Sequence, residues 1–109
     1  MKRFNVVVTR KAERDLDEIV SYIADHDSVD RALSVGARIE EAVARLVSFP
    51  ERGARPAELL DHGIRDFREV TFKPYRIVYR VTGGSVFVVL IADGRRDMRT
   101  LLTRRLLDA

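Results

Sequence analysis

The chain has 109 residues, 46% of them hydrophobic, which suits one compact domain over residues 1–109. No apolar run approaches the roughly 20 residues that cross a bilayer, and charged residues follow the first methionine too closely for a secretion signal. We therefore expect a cytoplasmic protein without a membrane partner. The absence of cysteine excludes disulfides, thiol catalysis and the usual structural zinc sites. Two histidines far apart in sequence indicate no metal cluster, so neither a metal nor a cofactor is expected.

The net charge of +3 is unevenly distributed along the chain. Residues 1–64 carry 10 Lys and Arg against 12 Asp and Glu, whereas residues 65–109 carry 10 against 5. The second half therefore has a net charge of +5 and favours an acidic partner, either a polyanion or an acidic protein surface. A basic surface that only keeps the protein in solution is the alternative.

The first half of the chain predicts a short strand and two amphipathic helices. Residues 3–8 are rich in valine, as a strand requires, and Thr9 is a suitable N-cap for a helix over residues 10–24. After a polar turn, a second helix is predicted over residues 29–48, ending before Pro50. The two helices should form an antiparallel hairpin. Their apolar stripes recur at three-to-four spacing and consist of Ala12, Leu16, Ile19, Val20 and Ile23 in the first helix and Ala32, Gly36, Ile39, Val43, Leu46 and Val47 in the second.

The second half of the chain predicts the sheet. Pro74 and a Gly-Gly pair separate three runs rich in Val, Ile, Phe, Tyr and Thr. We predict strands at residues 66–72, 75–82 and 85–92, arranged as an antiparallel meander with the last strand central, and residues 3–8 as an added strand. Side chains alternate along the middle strand, so one face should pack on the helices while the other is basic. The apolar face carries Tyr75, Ile77, Tyr79 and Val81, and the other carries Arg76, Val78, Arg80 and Thr82.

Two further segments connect and follow the strands. Residues 50–64 contain two prolines and two glycines, and they predict a loop with one short turn around residues 57–60. Apolar residues from Met98 to Leu106 predict a short C-terminal helix, which needs packing partners because isolated short helices are unstable.

The order of these elements and five short motifs resemble the RelE/ParE superfamily of toxins from bacterial type II toxin–antitoxin systems. The motifs are AERDLDEIVSYI in the first helix, IEEAVARL in the second, FPERG at its end, PYRIVYRV in the sheet and DGRRD after it. The resemblance covers essentially the whole chain. It implies an α+β fold with an N-terminal strand, an antiparallel two-helix hairpin packed on an antiparallel sheet, and a short C-terminal helix. It also implies a cognate antitoxin protein that neutralises the toxin in a hetero-oligomer.

Two activities occur on this fold, and the resemblance leaves both open. RelE-like members cut mRNA on the ribosome, whereas ParE-like members inhibit DNA gyrase. Arg76 and Arg96 match the two arginines that RelE uses around the phosphate. The RelE-type lysines would fall near Phe67 and Glu69, and the catalytic tyrosine near Leu102. The groups that move protons in RelE are therefore absent at these positions.

We therefore predict a ParE-like protein with no catalytic residue, whose target is DNA gyrase and whose sheet presents a basic, concave face. One alternative is a ribosome-dependent mRNA endonuclease with a degenerate site, which would have the ribosome and mRNA as partners. Another is a non-toxic member that only binds its antitoxin. For Arg95 and Arg96, ion pairs with Asp93 and Asp97 that fix the turn after the sheet are a structural alternative. The candidates for target or antitoxin binding are Arg68, Arg76, Arg80, Arg95 and Arg96.

Other conspicuous residues of the sheet have structural explanations. Tyr75 and Tyr79 share the apolar face of their strand, so they are expected to be core aromatics rather than catalytic groups. Glu69 is expected to pair across the strands with Arg76 or Arg80 rather than to act as a general base.

Overall fold

A computed structural model describes residues 2–107 and places a four-stranded sheet between two layers of helices. The predicted elements and their order are confirmed, and the boundaries shift by a few residues at most. The strands are β1 (Asn5–Val8), β2 (Phe67–Phe72), β3 (Tyr75–Thr82) and β4 (Ser85–Asp93), and the helices are α1 (Arg10–His26), α2 (Val29–Ala44), α3 (Ala57–Leu60) and α4 (Met98–Leu102).

Both long helices begin at a side-chain cap. The Thr9 hydroxyl accepts the backbone N–H of Ala12 at 3.3 Å, and Ser28 caps α2 in the same way at 3.0 Å. These bonds satisfy donors that the first turn of a helix leaves unpaired. The two helices pack so closely that a Cβ on Gly36 would lie 3.1 Å from Val20 Cγ2. Close packing therefore explains a glycine that costs roughly 1 kcal/mol relative to alanine in a helix interior.

The strands follow the order β1-β4-β3-β2, so β4 is central, as predicted. β2, β3 and β4 form the predicted antiparallel meander, and Gly83 adopts a φ of +59° in its last turn. β1 pairs with β4 in parallel, from Ser85 to Val88, so the sheet is mixed rather than wholly antiparallel. A parallel pair needs a long connection, which the helices and the meander between these two strands supply.

Apolar side chains fill both faces of the sheet. On the inner face, Ile39 and Ile77 are fully buried and Ile19 packs beside them, so these three residues share one core as expected. The outer face has a second, smaller core, as the uninterrupted apolar run of β4 indicates. It is formed by Leu59, Val78, Leu90, Ala92, Met98 and Leu102.

The C-terminal segment continues beyond α4 as a π-helical turn from Thr103 to Leu107. Leu106 of this turn packs on the outer core, which supplies the packing partners that a short helix needs. No helix within residues 2–107 is both long enough and apolar enough to span a membrane.

Candidate binding site

Arg76 lies at the centre of an ion-pair network on the outer face of the sheet. Its two terminal nitrogens donate to the two carboxylate oxygens of Glu58 at 2.8 Å each, and its Nε donates to Glu69 Oε1 at 2.7 Å. The side chain of Arg76 is only 15% exposed. The predicted pair of Glu69 with Arg76 is therefore confirmed, and Glu58 from α3 is an additional partner.

This network changes the charge that Arg76 presents to a ligand. The hydrogen bond from Arg76 is the main cause that lowers the pKa of Glu58 to about 2, and it outweighs the opposing effect of burial. The same bond raises the pKa of Arg76. One guanidinium faces two carboxylates, so the three side chains together carry a net negative charge. A phosphate that approached Arg76 would meet this negative charge first.

The backbone next to Arg76 holds the side chain in place. A Cβ on Gly94 would meet Arg76 Cδ at 2.8 Å and the carbonyl oxygen of Pro74 at 3.1 Å. The N–H of Gly94 also donates to that Pro74 carbonyl at 2.7 Å. Glycine at this position therefore lets the chain after β4 lie directly against the aliphatic part of Arg76.

Arg68 and Arg80 lie on opposite faces of the sheet, so the prediction of one basic face that contains both is wrong. Arg68 is the partner of Tyr79 in the β2–β3 register, and it donates to the carbonyl of Gly53 at 2.9 Å on the inner side. Arg80 is the partner of Phe67 on the outer face, where it is exposed. In addition, α3 and α4 cover the middle of the outer face, which leaves no continuous basic surface there.

A groove of about 780 Å³ runs between α1 and the end of β4. Its lining is mixed. The apolar residues are Ile19, Ile23 and Ile91, and the charged residues are Asp15, Glu18, Asp27, Arg31, Asp93, Arg95 and Arg96. The structure thus brings the two candidate arginines Arg95 and Arg96 together in one groove, which also holds four carboxylates.

Arg95 and Arg96 differ in their contacts, although both are exposed. The Arg95 guanidinium donates to the Asp93 carboxylate, with a shortest distance of 2.6 Å, and Arg95 remains 78% exposed. This pairing lowers the pKa of Asp93, mainly through the hydrogen bond. The Arg96 side chain makes no hydrogen bond within the part of the chain that the structure describes. Arg96 is therefore an exposed cation in the groove, and its charge contributes to lowering the pKa of the nearby Asp93.

Leu102 occupies the position at which the resemblance places the RelE tyrosine, and it is 1% exposed. It packs in the outer core with Val78 and Leu90. Phe67 packs against the same core, and Glu69 is bound to Arg76. The positions that would supply proton transfer in RelE are thus part of the folding core or of an ion pair.

Tyr75 and Tyr79 have the structural roles predicted for them. Tyr79 is fully buried, its hydroxyl donates to the carbonyl of Pro50, and burial raises its pKa. Tyr75 is partly buried against the inner core, and its pKa is raised mainly by burial and secondarily by Asp93. A raised pKa keeps both phenols neutral at pH 7, so neither is activated as a base.

The two histidines lie in different places: His26 lines the groove that also holds Arg95 and Arg96, and His62 does not. His26 is in the last turn of α1, where its ring stacks on Tyr22 with centroids 4.1 Å apart. His62 is in the turn that follows α3. Within residues 2–107, no group of three His, Asp or Glu side chains is arranged to hold a metal ion.

Two carboxylates with clear structural roles were missed by the sequence analysis. Glu58 binds Arg76, and Asp15 binds Arg105 through two hydrogen bonds of 2.8 and 2.9 Å. The spacing of residues in α1 could have revealed the role of Asp15. Asp15 lies three residues after Ala12 and four before Ile19, so it shares the apolar side of the helix with them. A carboxylate on that side of the helix is partly removed from water and needs a partner. The loop that carries Glu58 contains no comparable periodicity.

Comparison with known proteins identifies the family in which these features occur. The sequence model described as the ParE toxin of the type II toxin–antitoxin system, parDE, matches residues 6–98. Toxin ParE3 from Caulobacter vibrioides is 31% identical over 100 residues, which cover 92% of this chain and 96% of that protein.

Solved structures agree with the α+β fold. A chain of the chromosomal ParDE toxin–antitoxin system from P. aeruginosa matches with a TM-score of 0.71 and 28% identity, over 84% of this chain and 96% of that chain. A doubly substituted E. coli toxin RelE in the free state matches with a TM-score of 0.64 and 17% identity, over 98% and 100%. The likeness to RelE concerns the fold alone.

Proposed function

The chain belongs to the ParE toxin family of type II toxin–antitoxin systems, and from this premise we propose that it inhibits DNA gyrase and thereby blocks replication. The inhibition needs no catalytic residue of the toxin, because binding to gyrase is sufficient to stop its cycle. The observation that carries this proposal is the enclosure of Arg76 by Glu58 and Glu69.

Cleavage of RNA requires a cation that stabilises the charge developing on the phosphate and groups that transfer protons. Arg76 is neutralised by two carboxylates at 2.6 and 2.8 Å. Leu102 is apolar and buried where the tyrosine of RelE would stand. Arginine keeps its proton in proteins, so Arg96 has no means to act as a proton donor or acceptor. These features favour binding over hydrolysis.

A cognate antitoxin neutralises the protein under this proposal, as the similarity to a chain of a ParDE system suggests. Arg76, Arg99 and Arg105 of the second half are paired with carboxylates of the first half, so it is the other, exposed arginines that favour an acidic antitoxin segment. Arg80, Arg95 and Arg96 are exposed and suited to meet such a segment. Expression of this chain alone should slow growth, and the product of the neighbouring antitoxin gene should restore growth and co-purify with it. Normal growth without that product, together with no co-purifying partner, would remove the basis for a toxin.

The direct test is a supercoiling assay with purified gyrase and the full chain. We expect loss of supercoiling, and restoration of supercoiling when the antitoxin is added. Arg96→Glu should weaken inhibition by roughly tenfold, which corresponds to about 1.4 kcal/mol. Arg14→Glu is the matched control, since Arg14 is an exposed arginine of α1 away from the groove lining, and it should inhibit like the unmodified chain. Unimpaired gyrase at toxin concentrations well above that of the enzyme would reject the proposal.

A further inference from the structure

Half of the central strand β4 lacks a neighbour on one side. β1 pairs with β4 only from Ser85 to Val88, whereas β3 pairs with β4 from Ser85 to Asp93, interrupted by a bulge at Val89. From Val89 to Asp93, β4 therefore has a strand on one side only within the described part of the chain. An open edge with free backbone groups is a template on which another strand can add.

Two side chains occupy the place of the missing strand. Asp15 Oδ2 accepts the backbone N–H of Ile91 at 3.0 Å, and Arg105 Nη1 donates to the carbonyl oxygen of Val89 at 2.9 Å. Asp15 and Arg105 are joined to each other by two hydrogen bonds of 2.8 and 2.9 Å. The pair thus offers the edge one acceptor and one donor, which is what a residue of an adjacent strand would offer.

The position of the Asp15–Arg105 pair indicates a role other than stabilising the fold. The side chains of Asp15 and Arg105 are 13% and 20% exposed, so both charges are largely removed from water. An ion pair in such a place contributes little net stability compared with packed apolar groups, because desolvation offsets most of the attraction. Apolar side chains in this place would leave the backbone groups of the edge unpaired. The ion pair satisfies these groups, and it thereby excludes another strand from the edge.

We propose that the pair of Asp15 and Arg105 is a plug that closes the Val89–Asp93 edge, and that the partner it excludes is a second copy of this chain. Two copies of β4 can pair antiparallel about a twofold axis, which makes the edge complementary to itself. The open edge has five residues, or about 16 Å at 3.3 Å per residue, which is the length of an ordinary strand. The sequence of β4, SVFVVLIAD, is also rich in residues that favour strand pairing. The inference is independent of the gyrase proposal.

The experiment uses the full chain, produced by cell-free synthesis, and removes the Asp15 carboxylate that accepts the Ile91 N–H. Asp15→Ala should turn a monomer into a dimer whose fraction rises with concentration in light scattering after size exclusion. The amide of Ile91 should exchange with solvent at least roughly tenfold faster in the dilute variant, and it should become protected again in the dimer. Asp15→Asn keeps an oxygen that accepts the Ile91 N–H and should stay monomeric.

Two variants make the result specific to the edge. Asp61→Ala removes a different ion pair, the one with Arg99, and should stay monomeric with an unchanged Ile91 amide. Arg105→Met removes the donor to Val89 from the other side of the plug and should dimerise if Asp15→Ala fails to fold. Monomeric Asp15→Ala and Arg105→Met at high concentration would overturn the proposal. So would a slow Ile91 amide in the dilute Asp15→Ala monomer.

Discussion

Glu58 and Arg76 are joined by two hydrogen bonds of 2.8 Å each, although 18 residues separate them in the sequence. The contact fixes α3 to the outer face of β3. The carboxylate of Glu69 is the second partner of the Arg76 guanidinium. A bidentate pair of this kind is geometrically specific and stronger than an ordinary hydrogen bond. The arginine that the sequence suggested for a ligand is therefore used within the protein.

Substitution of Glu58 should change how stability depends on pH. The pKa of Glu58 falls from 4.5 to about 2 on folding, chiefly through Arg76. A carboxyl with a lowered pKa stabilises the fold above pH 4.5, and this contribution is lost as the pH falls towards 2. Between these values, the urea midpoint should fall more steeply for the unmodified chain than for Glu58→Gln. Glu51→Gln, at an exposed position, should follow the unmodified chain; equal slopes for all three proteins would contradict the expectation.

Arg76 and Arg96 should respond differently to the same substitution. Arg76→Gln leaves two partly buried carboxylates without their cation, so the free energy of unfolding should fall by about 2 kcal/mol. Arg96→Gln affects an exposed side chain and should stay within about 0.5 kcal/mol of the unmodified chain. Urea denaturation at neutral pH measures both. A stable Arg76→Gln variant would show that the network contributes nothing to the fold and that Arg76 is available for a ligand.

Gly53 should not tolerate alanine. A Cβ at this position would overlap the Tyr79 hydroxyl and lie 2.9 Å from the carbonyl oxygen of Glu69. The clash would displace a buried tyrosine, so Gly53→Ala should cost about 1–3 kcal/mol of stability, as other overpacked cores do. Gly84→Ala is the control, because its Cβ would meet nothing within 4 Å. Equal thermal midpoints for the two variants would be inconsistent with this packing.

Restoring a tyrosine at Leu102 should not create an RNA-cleaving enzyme. Leu102 is buried in the outer core, so Leu102→Tyr should lower stability by about 1–3 kcal/mol through overpacking. Leu107→Tyr adds the same group at a side chain that is 46% exposed and should fold normally. Neither variant should cut mRNA on translating ribosomes. Codon-positioned cuts by Leu102→Tyr alone would mean that the outer face opens into an active site.

The sequence predicted the elements well because their signals are local. The stripes of α1 and α2 and the alternation of β3 each lie within one segment, so they required no knowledge of other contacts. The error over Arg68 was to place its side chain on the same face of the sheet as that of Arg80. Two residues connect Phe72 to Tyr75, and counting back from that turn places Arg68 opposite Tyr79. This count is available from the sequence once the two strands are assigned.

The remaining features depend on contacts between distant segments. Glu58 is 18 residues from Arg76, and Asp15 is 90 residues from Arg105. Neither pair has a sequence periodicity that would identify its partner. The residues that cover the outer face were not identified for the same reason, because they meet only when α3 and α4 pack on the sheet.

The proposed action on gyrase, with messages left intact, can be tested in one parallel comparison. A single preparation of the full chain is added to a gyrase supercoiling assay and, in parallel, to translating ribosomes whose mRNA is analysed by primer extension. We predict inhibited supercoiling and uncut mRNA at the same toxin concentrations. Cuts placed at defined codon positions, with gyrase activity unimpaired, would contradict the account and assign the protein to the mRNA endonucleases.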